Sequence, residues 1–208
     1  MSVLPLHATR SGLYTVKPRF QALLAPLAQG MANQRVNPDV LTVAAVGCGL
    51  LGGAALGLSP QQPLLLWTIP PLVALRLGLN ALDGMVATRR GVARPWGKVL
   101  NELCDRLADL AFFWPLLILP AVSPVWAVAS MGAMLLVAFI GVLSETVTGV
   151  RQYGGPMGKA DRMACLGLAA AATALLGTWA TMQILAIVIV GGGLLTAYQR
   201  LERTHAAL

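Results

Sequence analysis

Between residues 80 and 110 the chain reads NALDGMVATRRGVARPWGKVLNELCDRLADL, and half of its eight acids fall there: Asp83, Glu102, Asp105 and Asp109. The flanking sequence is almost uniformly apolar. Asn80 and Asp83 are three apart and share one helix face; Asn101 and Asp105 are four apart, with Asp109 one further turn along. Glu102 lies three before Asp105 and seven before Asp109, so it borders that face. An ionisable group in a bilayer segment costs roughly 2.5 kcal/mol or more even on the mildest scale, so these acids need positive partners. Carboxylates and amides are hard oxygen ligands of the kind Mg²⁺, Mn²⁺ or Ca²⁺ takes, and one or two divalent ions could supply the charge. No histidine is near, which argues against zinc. The alternative is ion pairing with Arg76, Arg89, Arg90, Lys98 and Arg106.

The elements that must carry these groups are membrane helices. Of 208 residues 57% are hydrophobic and 11% charged, against about 25% charged in soluble domains. The net charge of +7 is no nucleic-acid signal, because no basic soluble module accompanies it; membrane proteins collect Lys and Arg at cytoplasmic helix ends. Cys48, Cys104 and Cys165 lie far apart in apolar stretches without metal-ligand spacing and read as core residues. No apolar run follows Met1, so no signal peptide is expected.

Six apolar segments, at about 40–58, 63–87, 98–120, 122–147, 160–177 and 179–199, each approach the ~20 residues that span a bilayer. The links 59–62, 120–124 and 177–179 carry no Lys or Arg. The other flanks hold Arg10, Lys17, Arg19 and Arg35; Arg89, Arg90, Arg94 and Lys98; Arg151, Lys159 and Arg162; and Arg200 and Arg203. This alternation places both termini and the acidic region on the cytoplasmic side of an inner or plasma membrane. Residues 14–34 read as a helix with Phe20, Leu23, Leu24, Leu27 and Met31 in one stripe, either lying on the membrane surface or packed on the bundle. The expected fold is all-α and integral to the membrane, with a juxtamembrane amphipathic helix in 1–36 and a six-helix domain in 37–208. Gly47, Gly49, Gly52, Gly53 and Gly57, and Gly191 to Gly193, read as sites of close helix packing. A transporter is disfavoured, because no internal repeat is evident and the acids cluster at one end.

The stretch resembles the signature of the CDP-alcohol phosphotransferase family, D-x-x-D-G-x-x-A-R followed by G-x-x-x-D-x-x-x-D. Here it reads Asn80-x-x-Asp83-Gly84-x-x-Ala87-Thr88, then Gly97-x-x-x-Asn101-x-x-x-Asp105. The Pro38-Asp39-Val40-Leu41-Thr42 opening is similar to the family's P-N-x-x-T. Asparagines replace the first and third aspartates, and Thr88 replaces the arginine, with Arg89 one place on. Two negative charges are thereby lost, which Glu102 and Asp109 could restore.

The resemblance implies transfer of a phosphoalcohol group from a CDP-alcohol, such as CDP-diacylglycerol, to an acceptor hydroxyl, with release of CMP. It implies Mg²⁺ or Mn²⁺, as two ions, held by Asn80, Asp83, Asn101 and Asp105 together with Glu102 and Asp109. Asp105 takes the place of the family's general base. Thr42, Asn80, Gly84, Ala87, Thr88 and Gly97 would meet the nucleotide. Arg151, Lys159 and Arg162 could hold a phosphate on a small alcohol acceptor or merely anchor helix ends at the membrane. Glu145 and Thr148 could face the acceptor. Homodimerisation follows by analogy with the family. The alternatives are a CDP-alcohol hydrolase and a degraded homologue that binds lipid or nucleotide without turnover.

Overall fold

A computed structural model describes residues 16–208; Arg10 and the first residues of the expected 14–34 helix lie outside them. Seven α-helices follow one another: α1 (Lys17–Asn33), α2 (Pro38–Leu58), α3 (Ile69–Arg89), α4 (Pro95–Phe113), α5 (Pro124–Thr148), α6 (Lys159–Leu176) and α7 (Ala180–His205). A 3₁₀ segment at Pro63–Thr68 leads into α3, and another at Trp114–Leu117 continues α4.

Local chemistry sets these boundaries. Proline opens α2, α4 and α5, where its missing N–H and fixed φ suit a first turn. The Asn37 side chain caps α2 by accepting from the Asp39 N–H, and Asp161 accepts from the Gly158 N–H at the start of α6. Gly149 and Gly177 close α5 and α6 at φ of 72° and 64°, the left-handed conformation that glycine adopts without cost.

Among the described residues four helical stretches are long and apolar enough to cross a membrane: Pro38–Leu58, Pro63–Arg89, Pro124–Thr148 and Ala180–His205. The remaining two of the six expected spans coincide with α4 and α6, which are long enough but less apolar. Both carry the charged faces that meet inside the bundle. Outward-facing Leu50, Leu51, Leu168 and Leu175 are all more than half exposed, a surface suited to lipid tails.

The main core joins Leu56 of α2, Ile69 of α3, Phe112 and Phe113 of α4, Met163 and Leu166 of α6, and Met182 and Ile189 of α7. Helix α1 packs on α2 and α3 through Leu24, Ala28 and Met31. Leu23 and Leu27 of the same stripe stay exposed, so only one edge of it is used within the chain.

The glycines of α2 do differing work. A Cβ at Gly53 would lie 1.9 Å from the Ala111 carbonyl oxygen, and one at Gly49 2.8 Å from that of Ala108. The α2 and α4 backbones touch there, as small-residue packing permits. Gly47 and Gly191 have nothing within 4 Å of such an atom, so they are not packing positions within the chain. Gly53→Ala is therefore expected to destabilise the protein by about 1–3 kcal/mol, the usual cost of overpacking. Gly47→Ala should be neutral or slightly stabilising. Thermal unfolding of both variants in detergent checks this.

Candidate active site

Helices α3 and α4 run antiparallel, joined by a turn in which Gly91 has φ of 65°. This brings the α3 face of Asn80, Asp83, Gly84, Ala87 and Thr88 against the α4 face of Gly97, Asn101 and Asp105. Thr42 reaches in from α2. Asp83 is buried; its Oδ2 accepts from the Thr42 hydroxyl at 2.8 Å and from the Asn101 amide at 2.7 Å. Its Oδ1 accepts from the Gly84 N–H. One turn deeper the Asn80 amide donates to Asp105 Oδ1 at 2.8 Å, and Lys159 Nζ donates to Asp105 Oδ2 at 2.6 Å.

A cavity of about 580 Å³ opens on this face, within the range of small-molecule and cofactor sites. Thr42, Asn80, Gly84, Ala87, Thr88 and Gly97, the six residues expected to meet a nucleotide, all line it, as do Asp83 and Asn101. A Cβ at Gly84 would meet no atom within 4 Å, so that glycine serves the open cavity and not helix packing. Arg35, Arg90, Arg94, Lys98 and Asp39 complete the wall. In the sequence Arg35 and Arg94 read only as charged helix flanks, and Arg90 and Lys98 also as candidate ion-pair partners of the acids. Their common position, at the mouth of the acidic face, was their one further clue. Arg94 pairs with Asp39 across the cavity mouth, and Arg90 donates to the Val36 carbonyl.

The acids expected to replace lost charge have other partners. Asp109 is buried among three arginines: Arg76 at 2.5 Å, Arg162, and Arg106 at 3.4 Å. Glu102 pairs with Arg151 at 2.5 Å and with Arg106 at 3.4 Å. Neither lines the cavity. The three cations expected at an acceptor phosphate thus meet the three acids of α4 one to one: Arg151 with Glu102, Lys159 with Asp105, and Arg162 with Asp109. Ion pairing does occur, with Arg76 and Arg106 as anticipated, but not with Arg89, Arg90 or Lys98.

The loop before α6 is pinned from α7. Arg200, expected as a membrane flank, is buried and donates to the carbonyls of Val137, Tyr153 and Gly154. The Thr196 hydroxyl accepts from the Met157 N–H. Arg151 stacks over the Tyr153 ring at 5.3 Å, and burial pushes the Tyr153 phenol up, so its hydroxyl stays protonated. Glu145 lies 3.8 Å from Arg151, and Thr148 bonds local carbonyls of Ser144 and Val150.

Among the described residues no three His, Cys, Asp or Glu side chains converge as a metal site. The oxygen set that fits a hard divalent ion is smaller: the Asp83 carboxylate on the cavity wall, with the neighbouring Asn80 and Asn101. An amide that donates through nitrogen still has a carbonyl oxygen to offer a cation.

Buried polar groups gathered on a cavity within a bundle that includes four helices apolar enough to cross a membrane define a helical membrane protein with a polar site. No family model matches the chain. It is 37% identical over 167 residues to inner membrane protein YnbA of Escherichia coli K12, covering 80% of this chain and 83% of that one. It is 36% identical over 102 residues to phosphatidylinositol phosphate synthase of Corynebacterium glutamicum, covering 49% of this chain and 44% of that enzyme. The fold matches solved structures of the phosphatidylinositol phosphate synthase of Mycobacterium tuberculosis. With CDP-DAG bound the TM-score is 0.71 at 24% identity, covering 86% of this chain and 92% of that one. With manganese and citrate it is 0.70 at 22% identity, covering 86% and 88%. The chain belongs to the CDP-alcohol phosphotransferase family, a family of membrane enzymes.

Two outcomes follow. Asp109→Asn would leave Arg76 and Arg162 without their buried countercharge, and breaking a buried pair costs about 3–5 kcal/mol. A large fall in thermal stability is expected, with no specific change in divalent-ion affinity in whatever folded protein remains; unfolding and Mn²⁺ titration read the two separately. Gly84→Val should fill the cavity wall, leave the melting temperature within a few degrees, and weaken CDP binding at least tenfold in calorimetric titration.

Proposed function

We propose that this protein transfers a phosphatidyl, or more generally phosphoalcohol, group from a CDP-alcohol such as CDP-diacylglycerol to the hydroxyl of a small alcohol. CMP is released, and the product is a phospholipid. The observation that carries this reading is the convergence of Thr42, Asn80, Asp83, Gly84, Ala87 and Asn101 on one cavity. Family membership and the CDP-DAG and manganese complexes of the fold relative support it.

In this reading the cytidine and its phosphates occupy the cavity, where Arg35, Arg90 and Lys98 provide cationic donors and Gly84 lets the ligand approach the α3 backbone. Asp83, with carbonyl oxygens of Asn80 and Asn101, holds a divalent ion, Mg²⁺ or Mn²⁺. When bound, the ion polarises the pyrophosphate and offsets charge on the departing CMP. The acceptor oxygen attacks the phosphorus of the transferred group, and the bond from that phosphorus to the CMP oxygen breaks. Asp105 takes the proton of the acceptor hydroxyl.

The acceptor side is strongly cationic. Arg76, Arg106, Arg151, Lys159 and Arg162 surround Glu102, Asp105 and Asp109. Buried Arg76 Nε and Nη1 and Arg162 Nε have no hydrogen-bond partner among the described residues. This supports an acceptor that carries a phosphate, held by Arg151, Lys159 and Arg162. We further read α2 to α7 as six spans, with both termini and the site on the cytoplasmic side, and the chain as a homodimer in the membrane.

Purified protein given CDP-diacylglycerol and Mg²⁺ or Mn²⁺ should release CMP with at least one member of a panel of free and phosphorylated alcohols. Asp83→Asn and Asp105→Asn should each lower that rate at least 100-fold with folding retained. CMP release without any alcohol would instead identify a hydrolase. Binding of CDP-diacylglycerol with no CMP under any condition would leave a lipid- or nucleotide-binding protein without turnover.

A further inference from the structure

The four central polar groups form two crossed pairs. Asn80 on α3 donates to Asp105 on α4, and Asn101 on α4 donates to Asp83 on α3. Each remaining carboxylate thus faces an amide from the opposite helix. Had both members of a pair been carboxylates, two acceptors would stand within hydrogen-bond distance, and a bound cation or a shared proton would be needed to hold them together. The amide supplies the bridging hydrogens itself.

The two aspartates are otherwise unequal. Asp83 lines the open cavity, whereas Asp105 does not, and its Oδ2 carries the Lys159 ammonium at 2.6 Å. Lys159 is no casual surface contact. It is the first residue of α6, and the loop leading to it is fastened by Thr196 and Arg200. Arg76 and Arg106 stand 3.8 Å from the same carboxylate, so Asp105 is already ringed by fixed positive charge.

We propose that this site takes one divalent ion, at Asp83, and that Lys159 supplies at Asp105 the positive charge that a second ion would otherwise bring. The proposal rests on the transferase reading for its purpose, because the ammonium then lies beside the transferred phosphate as a permanent cation. It makes a separate claim about stoichiometry. The donors on Asp83 are all neutral and leave its charge for an ion, whereas Asp105 already has its charge met by the Lys159 ammonium, which would repel a divalent ion at the same oxygen. A second ion would also enter a group of like charges with no free carboxylate to receive it.

The test is the number of Mn²⁺ ions bound by the full chain in detergent micelles, measured by equilibrium dialysis with elemental analysis and by electron paramagnetic resonance. The wild type should bind one ion per chain with no Mn–Mn coupling, and Lys159→Arg should do the same. Lys159→Met combined with Asn80→Asp should bind two ions and show coupling. Two coupled ions in the wild type, or none, would overturn the proposal. So would one ion in a folded double variant; if that variant does not fold, Lys159→Met alone decides, and it should bind more than one ion per chain, one ion there overturning the proposal. CMP release is scored separately. Two ions with CMP release would remove this inference and leave the transferase reading intact, whereas one ion without CMP release would do the reverse.

Discussion

Asp109, deep among α3, α4 and α6, is gripped by Arg76 from one neighbour and Arg162 from the other. Charges in an apolar interior are tolerable only when countercharge meets them closely, so this contact fixes how the three helices stand. Because α3 and α4 are antiparallel, the register set at Arg76 and Asp109 propagates. One turn along, Asn80 faces Asp105 and Lys159; a turn further, Asp83 faces Asn101. The spacing of three to four residues on every helix converts to layers roughly 5–6 Å apart. The deepest layer is a closed ion-pair cluster, the middle one mixes amide, acid and ammonium, and the outermost opens into the cavity. Helix α2 is held tightly enough to deliver Thr42 to the outer layer because Gly49 and Gly53 leave no side chain between it and α4.

This layering explains why acids on one helix stripe have different roles. Glu102, Asp105 and Asp109 look alike by spacing, yet depth and the partner on the next helix separate them. Asp109 serves the frame. Glu102, at the border of the face, binds Arg151 and so ties the α5–α6 loop to α4. Asp105 stands between frame and cavity, paired with Lys159 and held by Asn80, which does line the cavity. Adding acids on a face and expecting them to replace lost ligand charge ignores this gradient. A carboxylate more than a turn from the cavity wall and already neutralised has no reason to seek an ion.

Much of the architecture was legible in the chain. Apolar runs separated by alternately charged and uncharged links mark the helices to within a few residues, because lipid imposes both length and charge distribution. The antiparallel convergence of Asn80 and Asp83 with Asn101 and Asp105 was also legible, since both groups sit on adjacent helices joined by a short turn. Arg76 and Arg106 were anticipated as partners of the α4 acids, but Arg151, Lys159 and Arg162, which meet Glu102, Asp105 and Asp109, were not. They lie 49 to 54 positions away, and no local period encodes a contact across a whole intervening helix. Arg200 misled for a similar reason. A cation after an apolar helix normally reaches to the interface, but here Arg200 turns inward and donates to the carbonyls of Val137, Tyr153 and Gly154. The reduced hydropathy of α4 and α6 has the same origin: their charges point at each other, so the helices can be enclosed by the others without being apolar themselves.

Amides at positions 80 and 101, where the family signature that the chain resembles has carboxylates, have a structural logic that follows from the crossed pairs. Had both fallen on one helix, that helix would offer only amides and the other only acids. The charge would then be lopsided across the α3–α4 interface. As it stands, each helix keeps one acid and one amide, and every carboxylate meets a donor from the opposite side. The arrangement holds the two helices at the distance a ligand set requires through hydrogen bonds alone. In the crossed pairs no carboxylate opposes another, so neither a cation nor a shared proton is needed there to relieve repulsion within the protein.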